Sequence, residues 1–232
     1  MNPPVSYDAV VANDKVQTWI RKANEQMSTI GYTEHGHRHA KIVAKRARAV
    51  CLETGHDART AELAAIAGYV HDIGCMVHRA MHPQIGASIV LRILDEMHMD
   101  PAEVGDVVAA VANHEESDGT PVSALSAALI LADKSDVHFS RVQNPDRATF
   151  DVHDRVNDAV RESVLVITPR NGDGDFLEVA SRYSIKLRLA IDTEKASVTD
   201  YFEIFLARMI MSKRAARVLN AEFHLEVNGF QL

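Results

Sequence analysis

Cysteine is almost absent: Cys51 and Cys75 are the only two in 232 residues, each in helix-like sequence. Two thiols make no disulfide framework, which excludes the small stapled secreted scaffolds and suits a reducing cytoplasm. Also missing is any run near the ~18 consecutive apolar residues that a membrane-crossing helix needs. From Met1 to Lys15 no basic segment is followed by an apolar one, so no secretory signal is read there. Positive charge is in deficit, with 25 Lys and Arg against 32 Asp and Glu and a formal net charge of -7. Such a chain is a poor candidate for bulk nucleic-acid binding, which rests on neutralising phosphates. Internal repeats and low-complexity tracts are lacking as well. These absences predict a soluble cytoplasmic protein with no membrane partner.

What remains is ordinary globular material, 47% hydrophobic and 25% charged. The length is ample for a buried core without a disulfide or a structural metal. A metal site in this chain would therefore serve chemistry more than stability.

Apolar residues recur with a helical period from about Asn13 to His138. Val16, Ile20, Ala23 and Met27 form a first stripe, ended by Gly31. His39, Val43, Ala47 and Val50 share one face of a second helix. Leu63, Ile66, Ala67 and Val70 mark a third, which stops at Gly74. A fourth opens at His82-Pro83, with proline suited to the first helical position. A fifth opens at Asp100-Pro101 with Glu103 placed for a capping box, and it carries Val107, Val111 and His114. The sixth is expected from Thr120-Pro121 to Asp133. Beyond Arg141 the character changes. A short helix is expected from His153 to Val160 and a strand from Val164 to Thr168. Asn171-Gly172-Asp173-Gly174 reads as a turn that would make a hairpin of that strand and the next. Ile185, Leu187, Leu189 and Ile191 alternate with more polar residues as in a half-buried strand. Ser197 and Asp200 are placed to cap a long helix carrying Tyr201, Phe205 and Met209, and Phe223, Leu225 and Val227 close the chain with a strand. The expected fold is mainly α. A helical core over 12–141 is followed by an α+β extension over 151–232 that packs on it, because three short strands and a helix bury little alone.

Histidine is over-supplied, with 12 copies, and several stand where solvent exposure does not account for them. His71-Asp72 ends an apolar helix, where an imidazole and a carboxylate side by side are costly unless something satisfies them. His39 lies on an apolar face with Val43 and Ala47. Asp133 shares a face with Leu129. His82 opens a helix and His114 ends one. Imidazoles and carboxylates converging from several helices are how helical bundles build dinuclear sites. On a helix His35 and His39 would share a face and His37 would point away. His56-Asp57 and His153-Asp154 read as helix starts. Arg182, Lys186 and Arg188 fall on one strand face, more simply a solvated one.

The order His39, His71-Asp72, His82, His114, Asp133 resembles the HD superfamily of metal-dependent phosphohydrolases, from about Tyr32 to His138. His71-Asp72-Ile73-Gly74 is the specific match. His82-Pro83-Gln84-Ile85-Gly86-Ala87 and Asn113-His114-Glu115-Glu116-Ser117-Asp118-Gly119 resemble segments of the HD-GYP branch. Gly119-Thr120-Pro121 stands where that branch has Gly-Tyr-Pro, and Cys75 where a lysine often follows the motif. The resemblance therefore carries over ligands but no cyclic dinucleotide. It implies that His39, His71, Asp72 and Asp133 hold one metal, and that Asp72, His82 and His114 hold a second, with Asp72 bridging. A set of N and O donors suits Fe or Mn, and also Zn, Co or Ni. His35 resembles the acid that protonates the leaving oxygen, its alternative being a helix-start histidine in water. Arg79 and Lys134 could meet phosphate oxygens, or be solvated.

The resulting expectation is an enzyme that cleaves a small phosphate ester, nucleotides included, through a metal-bridging hydroxide, with homo-oligomerisation left open. HD relatives with the same ligands that act as mixed-valence di-iron oxygenases are one alternative. A non-catalytic nucleotide-binding regulator is the other.

Overall fold

The computed structural model describes residues 3–170 and 181–232. In chain order the helices are α1 (Tyr7–Val11), α2 (Asp14–Thr29), α3 (His37–Glu53), α4 (Ala58–Val70), α5 (His82–Glu96), α6 (Pro101–Ala112), α7 (Ala124–Lys134), α8 (Val152–Ala159) and α9 (Val198–Val218). The strands are β1 (Val160–Pro169), β2 (Tyr183–Ile191), β3 (Ala221–Val227) and β4 (Phe230–Gln231). The fold is mainly helical with a small C-terminal sheet, as the periodicity predicts.

Local chemistry sets most helix ends. The Asn13 side chain accepts the N–H groups of Lys15 and Val16 and starts α2, whose buried positions are Val16, Ile20, Ala23 and Met27. Asp57 caps α4 in the same way. Helix α4 is apolar nearly all round, and it lies at the centre with α3, α6 and α7 packed on it. Its contact with α3 is close at Gly68, where a Cβ would stand 2.9 Å from the Ala44 Cα.

Three expectations need correction. Asp100 does cap α6, but Glu103 does not reach back to complete a box; its carboxylate binds Arg59 from α4 instead. Helix α7 begins at Ala124 rather than at Thr120-Pro121. The chain first closes a turn in which the Gly119 N–H donates to the Glu115 carbonyl, and Ser123 then supplies the cap. The C-terminal sheet has four strands, not three. Asn228 and Gly229 both adopt positive φ, 51° and 85°, the combination that a two-residue hairpin favours, and β4 folds back on β3. The short α1, capped by Ser6, was not anticipated by the periodicity.

The sheet order is β1-β2-β3-β4. β1 and β2 pair antiparallel, with Leu165 opposite Leu187, and the turn expected at Asn171–Gly174 lies outside the described residues. β2 and β3 pair in parallel, with Leu187 opposite Leu225, and α9 makes the crossover between them. Ile185, Leu187 and Leu189 alternate into the core. On the other face Lys186 pairs with Glu226 at 2.9 Å and Arg188 lies 3.7 Å from Glu162. Those cations belong to the sheet's polar face. Helix α9 packs against both β3 and α7, so its Tyr201, Phe205 and Met209 join the same apolar cluster as Val43, Ile66 and Leu129. A Ser197–Asp200 capping box starts it. No helix among the described residues is long and apolar enough to cross a membrane.

Candidate metal centre

The six His and Asp residues converge at one end of the helical core. His39 comes from the first turns of α3, His71 and Asp72 from the C-terminal end of α4, and His82 from the start of α5. His114 follows the end of α6, and Asp133 is the penultimate residue of α7. After Asp72 the chain tightens into a 3-10 turn, Ile73–Met76, which packs against the start of α5. Gly74 makes this possible: a Cβ there would fall 2.0 Å from the His82 carbonyl oxygen and 2.6 Å from the Gly86 nitrogen. The Gly74 of the motif thus brings His71-Asp72 and His82 together.

Asp72 stands at the middle. Its Oδ2 lies 3.5 Å from His39 Nε2 and 3.1 Å from His71 Nε2, and its Oδ1 lies 3.3 Å from His82 Nε2 and 3.7 Å from His114 Nε2. Asp133 Oδ1 closes the first half, 3.3 Å from His39 Nε2 and 3.7 Å from His71 Nε2. All four imidazoles are aimed by their other nitrogen. Nδ1 of His71, His82 and His114 lies 2.9, 2.8 and 2.6 Å from the carbonyls of Gly68, Arg79 and Val111, and Nδ1 of His39 lies 2.7 Å from the Asp136 carboxylate. With Nδ1–H donating outward, every Nε2 is turned inward, the arrangement that outer-shell partners impose on metal-binding histidines.

The inward nitrogens lack ordinary partners. His39 Nε2 and His71 Nε2 are buried without a hydrogen bond despite the nearby carboxylates. His82 Nε2 and His114 Nε2 face each other at 3.0 Å, which only a shared proton or a cation satisfies. Ligand atoms of His39, His71 and Asp72, of His71, His114 and Asp133, and of His82, His114 and Glu115 lie close enough together to hold ions. The donor set and its orphaned atoms fit divalent cations.

The electrostatics agree. Burial alone would raise the Asp72 carboxyl, but His71 and His35 outweigh it and hold it well below the usual range. Burial acts likewise on Asp133, where Lys134, His39 and His71 win. Burial disfavours a charged His71, yet Asp72 and Asp133 lift it to about 10. Burial keeps His114 low and therefore neutral.

The remaining sequence candidates fall in different places. His35 precedes α3 rather than sharing its face, because Gly36 is the cap; its ring still lies 6.0 Å from that of His39. Its Nδ1 lies 2.6 Å from the Thr33 carbonyl, and burial pushes its pKa down to about 3. His37 points away, 3.3 Å from the Tyr69 hydroxyl. Arg79 stacks over Tyr32 and pairs with Glu115 at 3.2 Å. Lys134 is 2% exposed and pairs with Asp133, Glu115 and Glu116. Lys134 is thus enclosed by three carboxylates of the protein itself.

Sequence reasoning passed over several residues. Asp136 buttresses His39. Glu34 accepts the N–H groups of Gly36 and His39, supplying the cap that Gly36 cannot. Arg208 on α9 pairs with Glu116 at 3.1 Å. Cys75 lies with its sulfur 4.0 Å from Asp72 Oδ1, and burial raises its thiol far above the ordinary value. Of these, Asp136 stands three residues after Asp133, just beyond the end of α7. Beside the centre opens a cavity of about 440 Å³ walled by His35, Arg79 and Glu116 on one side and by Asp154, Phe205 and Arg208 of α8 and α9 on the other.

An uncharacterized protein of Methanocaldococcus jannaschii is 30% identical over 112 residues, which is 41% of this chain and 42% of that protein. The chain thus spans less than half the length of the curated relative it matches. The crystal structure of a predicted HD superfamily hydrolase from an uncultured Thermotogales bacterium is similar with a TM-score of 0.43 and 24% identity, over 53% of this chain and 67% of that one. Residues 36–138 match the HD domain family, and all six residues of the His/Asp cluster lie within that match.

Proposed function

We propose that the chain is a dinuclear metal-dependent phosphohydrolase that cleaves a small phosphate ester, nucleotides included. The observation that carries this reading is the division of Asp72, one oxygen toward His39 and His71 and the other toward His82 and His114. His39, His71, Asp72 and Asp133 would hold one ion, and Asp72, His82 and His114 the other. Two divalent cations there would supply Lewis-acid charge and an activated water for in-line displacement at phosphorus. The likeness of His82–Ala87 and Asn113–Gly119 to the HD-GYP branch supports the second position.

The protein's own groups complete the site. Arg79, on the cavity wall, offers a guanidinium to phosphate oxygens. His35 would give the leaving oxygen its proton. It stands neutral in the ligand-free protein, so it takes up that proton as the phosphate dianion enters beside it. Helices α8 and α9 wall off the cavity and limit water, a role for the C-terminal unit.

The test is purified protein loaded anaerobically with Mn or Fe, assayed against a phosphoester and nucleotide panel with dioxygen present and absent. Phosphate release independent of dioxygen is expected. Turnover that requires dioxygen would move the protein to the oxygenase chemistry, and no turnover in either condition would favour a binding role.

A further inference from the structure

The charges on the cavity walls do not balance. Each arginine there is already compensated: Arg79 by Glu115, Arg208 by Glu116, and Arg141 by the Glu34 and Asp136 carbonyls, with the Asp136 carboxylate 3.9 Å away. Asp154 is not. It is 4% exposed and lines the cavity, yet no cation among the described residues lies within ion-pairing distance of it. Its Oδ2 accepts a single long bond, 3.4 Å from Asn144 Nδ2, and its Oδ1 accepts none from the described residues. The first turn of α8 gives it a favourable dipole, but its own N–H goes to Asp151. Burial raises its carboxyl above the ordinary range. A carboxylate buried without a cation is costly, and such a group at the wall of a cavity is a candidate for completion by a ligand.

We propose that Asp154 receives an ammonium carried on the leaving group of the substrate. The substrate is then a zwitterionic phosphate ester, with its phosphate at the His/Asp cluster and its amine against α8. This rests on the phosphoester reading above. An ammonium fits better than a hydroxyl, because it offsets the buried charge of Asp154, whereas a hydroxyl would leave that charge in place. The cavity of about 440 Å³ is of small-molecule size; Asp154 lines it on one side, and on the other His35 and Arg79, the neighbours of His39 and His82 in the cluster.

The experiment compares ω-aminoalkyl phosphates of increasing chain length with alkyl phosphates of matched length, on metal-loaded full-length protein. Binding is read by calorimetry and turnover by phosphate release, for wild type and Asp154→Asn. Wild type should bind the best aminoalkyl phosphate roughly tenfold or more tighter than its alkyl counterpart, the scale of a charge-assisted hydrogen bond. Asp154→Asn, nearly isosteric, should erase that ratio while its thermal transition shows it folded. If wild type binds both series alike, or if the variant keeps the preference, the ammonium subsite is wrong and the phosphoester reading stands. Preferential binding without turnover supports the subsite and removes the hydrolase reading. Binding of neither series overturns both.

Discussion

The Asp136 carboxylate lies 2.7 Å from Nδ1 of His39, and both side chains are 1% exposed. The contact fixes the tautomer of His39 and turns its Nε2 toward Asp72 and Asp133. Asp136 never touches the cluster's interior, yet it makes His39 a better electron donor. Asp136→Asn should weaken metal binding by about 10–100-fold while leaving the protein folded, as measured by competitive metal titration alongside circular dichroism. Unchanged affinity would mean that the bond does not orient His39.

Lys134 holds three carboxylates, Asp133, Glu115 and Glu116, in a space where it is itself 2% exposed. Replacing one partner of a buried ionic cluster leaves the others uncompensated and costs about 3–5 kcal/mol. Lys134→Met, which keeps most of the volume, should lower the unfolding free energy of metal-free protein, read from urea titration, by that order. A phosphate-binding lysine would instead give normal stability and a raised KM. Unaltered stability with raised KM would restore the substrate role.

His71 gives the centre a pH dependence with a definite sign. Its folded pKa, about 10 in the metal-free protein, lies above the ordinary value of ~6.5. Its contribution to metal-free stability is therefore complete below about 6.5 and is lost as pH rises through about 10. An imidazolium cannot ligate, so a metal must displace this proton. Metal affinity should rise with pH across that window, by up to roughly tenfold per unit. Calorimetry in buffers of different ionisation enthalpy near pH 8 should show about one proton released on account of His71. Affinity that is flat across the window would show that His71 is neutral before metal arrives.

Much of this was legible in the sequence because helical periodicity and end chemistry are local. Asn13, Asp57 and Ser197 announce helix starts, and the stripes through Val16 and Val43 name the buried faces. The Asn228-Gly229 hairpin is equally local, an Asn-Gly pair between Val227 and Phe230. The partners of buried charges were not legible. Glu103 sits at the right spacing for its own cap, but Arg59, 44 residues away in sequence, takes it. Lys134 beside Asp133 looks like a free cation until α9 and the 114–119 turn bring Glu115, Glu116 and Arg208 around it. His35 comes near His39 without sharing its helix: α3 starts two residues later, and Thr33 and Asn24 hold His35 in place. Periodicity reports which face is buried; it does not report which distant side chain arrives there.

The central claim is that Asp72 divides its two oxygens between two ions. The direct measurement is metal stoichiometry by plasma mass spectrometry on protein reconstituted and desalted anaerobically, for wild type and the His82→Ala/His114→Ala double variant. Those two imidazoles are 1% exposed, with Nε2 atoms 3.0 Å apart on the Oδ1 side of Asp72, and His39, His71 and Asp133 lie on the other side. Wild type should hold about two equivalents, and the double variant should hold about one and lose turnover, since in the proposed reaction two ions would supply the activated water. Wild type that never exceeds one equivalent, or a double variant that keeps two, would contradict the dinuclear site.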